Sequence, residues 1–424
     1  MTFHVLNWGL GVESSAILLL WIFFPSTRPF KQWNQLIIVV AQTGDESPET
    51  KYLCETYILP LLRSIGVRLV QAAKHGASKA DGYTLLADTC EPYEIHTEGD
   101  HKLSDNMLTD GWVPRVGRPH ICAMRWKGEV LDVLIGDIIY TIQEAMDVLT
   151  MLCLCDRGDR FAWLYACWLL TTRDNIQIGP YLGYNAEELG RMKDAQDYGC
   201  HGAKFLFPLI DRGLTRDDCI ELIYSIVRVI WRKSCCVFCP FQKKAAAIAH
   251  YQSDPQAAVF ALWVEFNALA MNSRMKLFER YGMQDICRDA QLDDAIAQFE
   301  AQISHCKWAV YHVRRIYRQV GNPQKPRVDS ARKVEQLAAG TQEEMILWLK
   351  DLAESKGLTI ERDSHWRCYS HVRDEQNKTY PAIEGFWVVT PSMIRDKCHR
   401  KTFDQDWRKL CLQQRKQPGE IRCN

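Results

Sequence analysis

The residues best suited to chemistry in this chain are thiols. Cys235, Cys236 and Cys239 lie close together, and the Cys236-x-x-Cys239 spacing lets two thiolates reach one metal. Thiolate is a soft ligand that suits zinc or an iron–sulfur cluster, and without metal the same residues are buried free thiols. A second group is the turn Gly9-Leu10-Gly11-Val12-Glu13-Ser14-Ser15. A glycine turn between a strand and a helix presents amide N–H groups to an anion, and the helix dipole adds to the attraction. Ser14 and Ser15 add hydroxyl donors. The GK[ST] ending of a Walker A loop is missing, as is the third glycine of a dinucleotide fingerprint. Taken alone, the turn is equally an ordinary βα connection. A third group is Thr43-Gly44-Asp45-Glu46-Ser47-Pro48-Glu49-Thr50.

These groups need a scaffold, and the apolar pattern supplies one. Phe3 to Leu6 is a short apolar run ahead of the glycine turn, and helical periodicity follows from Ser14 to Phe24. Leu36 to Ala41 is a β-branched run that ends at the Thr43 turn, a helix follows from about Pro48 to Ile65, and Val67 to Ala72 is a third strand. This order predicts an α/β fold with a doubly wound parallel sheet, which binds ligands at the carboxyl ends of its strands. Both turns fall there.

Residues 76–121 read as a long functional loop or small excursion, 128–170 as two buried helices, and Ile176 to Ile178 as a strand. A helix over 214–231 opens with Thr215 and Asp217-Asp218, and 242–305 is mainly helical. Gly321 to Pro326 reads as a boundary, followed by a helix near 341–356 and strands near 358–390. The expected organisation is a nucleotide-binding domain over 1–240 with a helical insertion near 128–170, a helical region over 241–320, and a basic α+β region over 321–424.

Composition narrows the classes. Hydrophobic residues make up 47% and charged residues 25%, the balance of a globular protein. The most apolar helical run, Ala16 to Phe24, is too short to cross a bilayer and follows Glu13, so neither a membrane span nor a secretory signal is expected. Seventeen cysteines, an odd number in a chain of 424, suit reduced thiols in a cytoplasmic protein rather than a disulfide scaffold. Cys153, Cys155, Cys167 and Cys219 sit in apolar patterns and read as core thiols.

Further segments fall into line with these. They are Cys122-Ala123-Met124-Arg125-Trp126-Lys127, Tyr184-Asn185-Ala186-Glu187-Glu188-Leu189-Gly190-Arg191-Met192-Lys193-Asp194, Phe207-Pro208-Leu209 through Thr215 to Cys219, and Ser234-Cys235-Cys236-Val237-Phe238-Cys239-Pro240. With the two turns, their order resembles the PP-loop superfamily, and within it the phosphoadenosine-phosphosulfate (PAPS) reductase-like family, over roughly residues 3–270. The resemblance implies an adenine nucleotide alpha hydrolase-like, Rossmann-like fold that binds ATP, or PAPS, with Mg2+. It implies nucleotide contacts from Gly9, Gly11, Val12, Glu13, Ser14, Ser15, Thr43, Gly44, Glu49, Arg125, Arg191 and Lys193. It implies a [4Fe-4S] cluster, or zinc, on Cys122, Cys236 and Cys239, with either Cys235 or no residue as fourth ligand where other members carry a cysteine at the place of Ala123. Ser14, Cys122 and Lys127 become the candidate catalytic residues.

The C-terminal third differs in charge. From residue 301 onward there are 23 Lys and Arg against 15 Asp and Glu, which favours a polyanionic partner. Arg314, Arg315 and Arg318 interleave with Trp308, Tyr311 and Tyr317, and Trp366, Arg367, Tyr369 and Arg373 repeat the composition. This is either a surface for DNA or tRNA or an amphipathic helix whose rings enter the core. The Glu-Cys-Gly-x-His tail of PAPS reductases is missing. The expected activity is therefore adenylation of an acceptor followed by sulfur transfer, fed by a sulfur-donor protein. The alternatives are sulfonucleotide reduction, or nucleotide sensing or DNA binding without catalysis.

Overall fold

The computed structural model describes residues 2–115, 120–138, 140, 177–196, 204–278, 280–321, 324, 327–374 and 379–415. The chain divides into two compact units. One comprises Met1–Leu103 with His120–Cys239, the other Ser104–Pro119 with Pro240–Asn424.

The first unit is built on a five-stranded sheet of order β4-β3-β2-β1-β5. Its strands are β1 (Thr2–Asn7), β2 (Leu36–Gln42), β3 (Arg68–Lys74), β4 (Tyr83–Thr89) and β5 (Gln177–Leu182). All seven residues of β2 are buried, as expected of a continuous β-branched run covered on both faces. Helices α1 (Val12–Phe23) and α3 (Leu59–Ile65) pack on one face, where Leu6, Leu36, Ile38, Val40 and Leu69 meet Ile17, Leu18 and Leu62. Helix α2 (Pro48–Leu53) leads into α3 through a π segment, Cys54–Ile58. The alternate strand residues Val5, Ile37, Val39, Ala41, Val70 and Ala72 face a helix over 121–138 and bury its Val130, Leu134, Ile135 and Ile138. Its second turn is a π segment, Ala123–Gly128. Each such Val, Leu or Ile contributes about 1.5–3 kcal/mol relative to exposure.

Two expectations need correction here. The sheet is not wholly parallel, because β4 runs antiparallel to β3. The link from Lys74 to Tyr83 is too short for a helical crossover, so the chain turns back on itself. Residues 76–121 are therefore not one loop. They hold β4 and a helix, α4 (Leu103–Asp110). The second helix expected within 128–170 lies outside the described residues, as do Cys153, Cys155 and Cys167, while Cys219 is fully buried in the core.

In the second unit, helices Lys244–Ser253, Pro255–Met271, Met283–Asp289 and Asp293–Ser304 lead into a six-stranded antiparallel sheet. Its long hairpin pairs Trp308–Val320 with Arg327–Gly340. The stretch 307–318 is thus a strand and not an amphipathic helix. Its apolar residues alternate with a period of two, Trp308 and Val310 joining one core cluster and Ala309, Tyr311 and Val313 the other. Most of Gly321 to Pro326, expected as a boundary, lies outside the described residues, between the two paired strands. Helix Gln342–Lys356, opened by a Thr341–Glu344 capping box and closed by Gly357 at φ +63°, packs Met345 and Leu349 on this sheet. Among the described residues no helix is long and apolar enough to cross a membrane.

Candidate functional site

The glycine turn fills the gap between Asn7 and Val12. Trp8 extends the β1 ladder by donating its N–H to Val39 O at 2.9 Å, and its indole donates to Ser15 Oγ at 3.0 Å. Leu10 takes a left-handed φ of +61° while its side chain is buried, which for a residue with a Cβ costs about 1–2 kcal/mol. Gly11 stands extended at the N-cap of α1, and no side chain caps the helix. The carbonyls of the turn are occupied. Gly9 O accepts from Ser234 Oγ at 3.0 Å, Leu10 O from the Trp231 indole at 3.3 Å, and Gly11 O from Ser15 N–H at 3.0 Å. The donors are not occupied: among the described residues the amides of Gly9 to Ser14 reach no protein acceptor. Ser14 Oγ has one long bond, 3.4 Å to Gly11 O. A row of unused amides at the start of a 12-residue helix is an anion cradle.

The second turn is tied to the cysteines. Glu46 and Cys236 form an antiparallel bridge, Ser47 N–H donates to Cys235 O at 3.1 Å, and Val237 N–H donates to Asp45 O at 3.1 Å. Thr43 Oγ1 lies 3.3 Å from Cys236 Sγ. The Glu46 side chain is 2% exposed, with Oε2 3.7 Å from Lys127 Nζ and Oε1 without a hydrogen-bond partner. The strap 231–239 therefore holds the glycine turn through Trp231 and Ser234, and the Thr43 turn through Cys235 to Val237.

The thiols influence one another. Burial, then the nearby Cys239, pushes the Cys122 thiol up to about 11. A hydrogen bond to Cys239, then burial, raises Cys235. Burial, then the Glu46 carboxylate, raises Cys236, against the opposing bond from Thr43. Burial alone would lower Lys127, but Glu46 and the thiols at 236, 122 and 239 outweigh it and raise the ammonium. As free groups at neutral pH these are thiols beside a held cation. A metal would have to displace their protons. Four sulfur donors are the right chemistry for a soft metal or cluster, although among the described residues no three His, Cys, Asp or Glu side chains stand at ligating spacing.

The exit from β5 completes the site. A Cβ at Gly183 would come within 2.7 Å of Ser14 N, so this glycine lets β5 end against the cradle. Asn185 Nδ2 donates to Glu13 Oε1 at 3.1 Å, and Arg216 lies 3.4 Å from the same oxygen. Arg191 pairs with Glu188 and stacks 4.5 Å over the Tyr184 ring. Burial, then the charges of Arg191 and Lys233, holds His120 below the usual histidine range.

The expected site residues therefore divide. Gly9, Gly11, Thr43, Gly44, Cys235, Cys236 and Cys239 lie in the two turns and the strap bonded to them, Ser14 at the start of α1, and Cys122 and Lys127 on the helix over 121–138. Val12 is a core residue and can offer only its amide. Ser15 is fully buried and its hydroxyl accepts from the Trp8 indole N–H. Glu13 is engaged by Asn185 and Arg216. Glu49 is exposed and 3.4 Å from Arg232. Arg125 and Lys193 are exposed. Sequence reasoning passed over Trp231, Ser234, Gly183 and the free oxygen of Glu46. Gly183 had a signal, a glycine directly after an apolar strand, whereas the two strap donors act on carbonyls far away in the chain.

In the second unit the basic–aromatic stretch is largely spent on itself. Arg314 pairs with Glu335 at 2.6 Å and Asp404 at 3.0 Å, Arg315 with Glu384 at 2.7 Å, and Arg318 with Asp406 at 2.9 Å. Trp308 and Tyr311 are buried. Arg367 is also buried, bonded to Asp363 and to Leu269 O at 2.7 Å, and Arg373 stacks 4.0 Å over Tyr317. No family model, curated protein or solved structure matches the chain.

Proposed function

We propose that the first unit is an adenine-nucleotide-dependent sulfur-transfer site of the PP-loop, PAPS reductase-like kind, with the doubly wound fold of adenine nucleotide alpha hydrolases. The observation that carries this reading is the strap 231–239, bonded at one end to an anion cradle and at the other to the turn beside the thiols.

The amides of Gly9 to Ser14 and the Ser14 hydroxyl hold the phosphates of ATP, with Mg2+ arriving on the nucleotide. An acceptor oxygen attacks the α-phosphorus, a new P–O bond forms to AMP, and pyrophosphate leaves into the cradle, whose fixed dipoles stabilise the departing charge. Sulfur from a donor protein then displaces AMP from the acceptor. Cys122, Cys235, Cys236 and Cys239 would hold a [4Fe-4S] cluster, which when bound supplies an iron able to carry the transferred sulfur. Zinc in the same place would serve structure only. Lys127, held by Glu46, supplies positive charge where the thiols ionise. A nucleic acid is the acceptor class to test first, since from residue 301 onward 23 Lys and Arg stand against 15 Asp and Glu.

The test is turnover of ATP to AMP and pyrophosphate with candidate acceptors, beside iron, sulfide and zinc analysis of anaerobically purified wild type and Cys236→Ser. Acceptor-dependent pyrophosphate release, with iron and sulfide lost in the variant, is expected. Sulfite release from PAPS with a thiol donor would assign sulfonucleotide reduction instead. Nucleotide binding without turnover, unaltered by Ser14→Ala, would make the protein a non-catalytic sensor.

A further inference from the structure

Lys102 lies outside every motif considered above, yet its position is tightly built. Gly44, in the turn after β2, has φ +84°, and a Cβ there would come within 2.6 Å of Lys102 Cγ and 3.1 Å of its Cβ. The lysine stem therefore lies flat on the glycine, and no other residue at 44 would admit it. Both neighbours of Lys102 are fastened. His101 N–H donates to Lys74 O at 3.2 Å and its carbonyl accepts from the Trp126 indole at 2.9 Å, while Leu103 N–H donates to Thr43 O at 3.0 Å. His101 also stacks on Trp126, with ring centroids 5.7 Å apart. A flexible side chain is thus held by its backbone and its stem beside Thr43, whose hydroxyl touches Cys236.

Three other cations of this unit are compensated. Lys127 has Glu46 at 3.7 Å, Lys74 has Glu129 at 2.7 Å, and Arg232 has Glu49 at 3.4 Å. Lys102 has no carboxylate among the described residues. A lysine whose stem is fixed beside the turn after β2, and whose ammonium has no anion among the described residues, is suited to take an anionic ligand.

We infer that Lys102 is an anion-binding residue of this site, taking a phosphate oxygen of the nucleotide. This rests on the nucleotide reading above and adds to it a cation that no motif marks. The probe is ATP, titrated calorimetrically into wild type, Lys102→Met and Lys102→Arg at low and moderate salt. Methionine keeps a stem to cover Gly44 and removes the charge. Arginine keeps the charge. Lys102→Met is expected to bind about tenfold more weakly with a shallower salt dependence, Lys102→Arg to bind within about twofold of wild type, and both to melt with the wild type. Wild-type affinity and salt dependence in Lys102→Met would overturn the role of Lys102 while leaving the cradle intact. Failure of the wild type itself to bind ATP or pyrophosphate would overturn the parent reading and this inference with it. A matching loss in Lys102→Arg would show that the stem, and not the charge, is what matters, and would also overturn it.

Discussion

The strand ends of the first unit and the antiparallel sheet of the second both gather charged and polar groups, and they differ in which of those groups are left without partners. In the sheet, Arg314, Arg315 and Arg318 each have an acidic partner within 3.0 Å. At the strand ends six consecutive amides lack acceptors, Glu46 Oε1 lacks a donor, and Lys102 lacks an anion among the described residues. Residue composition points to the sheet as the polyanion site. Bonding capacity left over points to the strand ends. The run of unused amides is what sets the strand ends apart, since single buried atoms such as Arg314 Nε, Arg367 Nε and Thr390 Oγ1 are left over in the sheet as well.

The contrast can be broken from the sheet side first. Arg315→Ala leaves Glu384 with the Tyr317 hydroxyl but no cation and removes the donor to Met271 O, and a loss of about 3 kcal/mol in denaturant stability is expected with little effect on nucleotide binding. A loss under about 1 kcal/mol would mean these pairs are not what the arginines are there for. A second probe of the sheet is pH. Burial, then the neighbouring Arg314, pushes His312 down to about 4, with its ring stacked 4.8 Å from Trp387. The folded value lies below the unfolded one, so its contribution is fully present above pH 6.5 and is lost as the pH falls through 6.5 toward about 4. His312→Phe should flatten that limb of the stability profile, and an unchanged limb would assign it to other groups.

The strand ends give smaller but more pointed effects. Gly183→Ala drives a methyl into Ser14 N at 2.7 Å, so the cradle must move, and a roughly 100-fold loss of ATP affinity is expected with secondary structure retained by circular dichroism. Ser14→Ala removes one hydroxyl whose only protein bond is long, so the melting temperature should hold while ATP affinity drops about tenfold. Equal affinity in both variants would remove the cradle from function and erase the difference between the two regions.

Much of the scaffold was legible in the residues. The apolar run Leu36 to Ala41 is β2, and Thr215 with Asp218 caps Arg216–Val227 through a reciprocal pair of bonds at 3.3 and 2.8 Å. These are local signals, since period and capping are properties of a few adjacent residues. The strand over Trp308–Val320 was misjudged because short aromatic–basic segments fit a helix face and a sheet face about equally until the partner strand is known. In the site, the glycine and threonine turns were visible as loops between elements. Their fastening by Trp231 and Ser234 was not, because a donor acting on a carbonyl more than two hundred positions away leaves no trace in spacing. The burial of Ser15 has the same root: which of two adjacent hydroxyls faces the cradle depends on the helix phase, and the indole of Trp8 claims the second.

A helix with a widened turn has two independent angles. Along 121–138, the apolar residues Val130, Leu134 and Ile138 fix how the rod rolls on the sheet, while the π segment Ala123–Gly128 sets how far Cys122 is swung around the rod relative to that grip. Removing a single residue from this stretch would restore ordinary winding and turn everything ahead of it by about 100° without loosening the grip. The azimuth of one sulfur toward Cys239 is in that sense adjustable by an insertion or deletion of length one, apart from any change to the core that carries it.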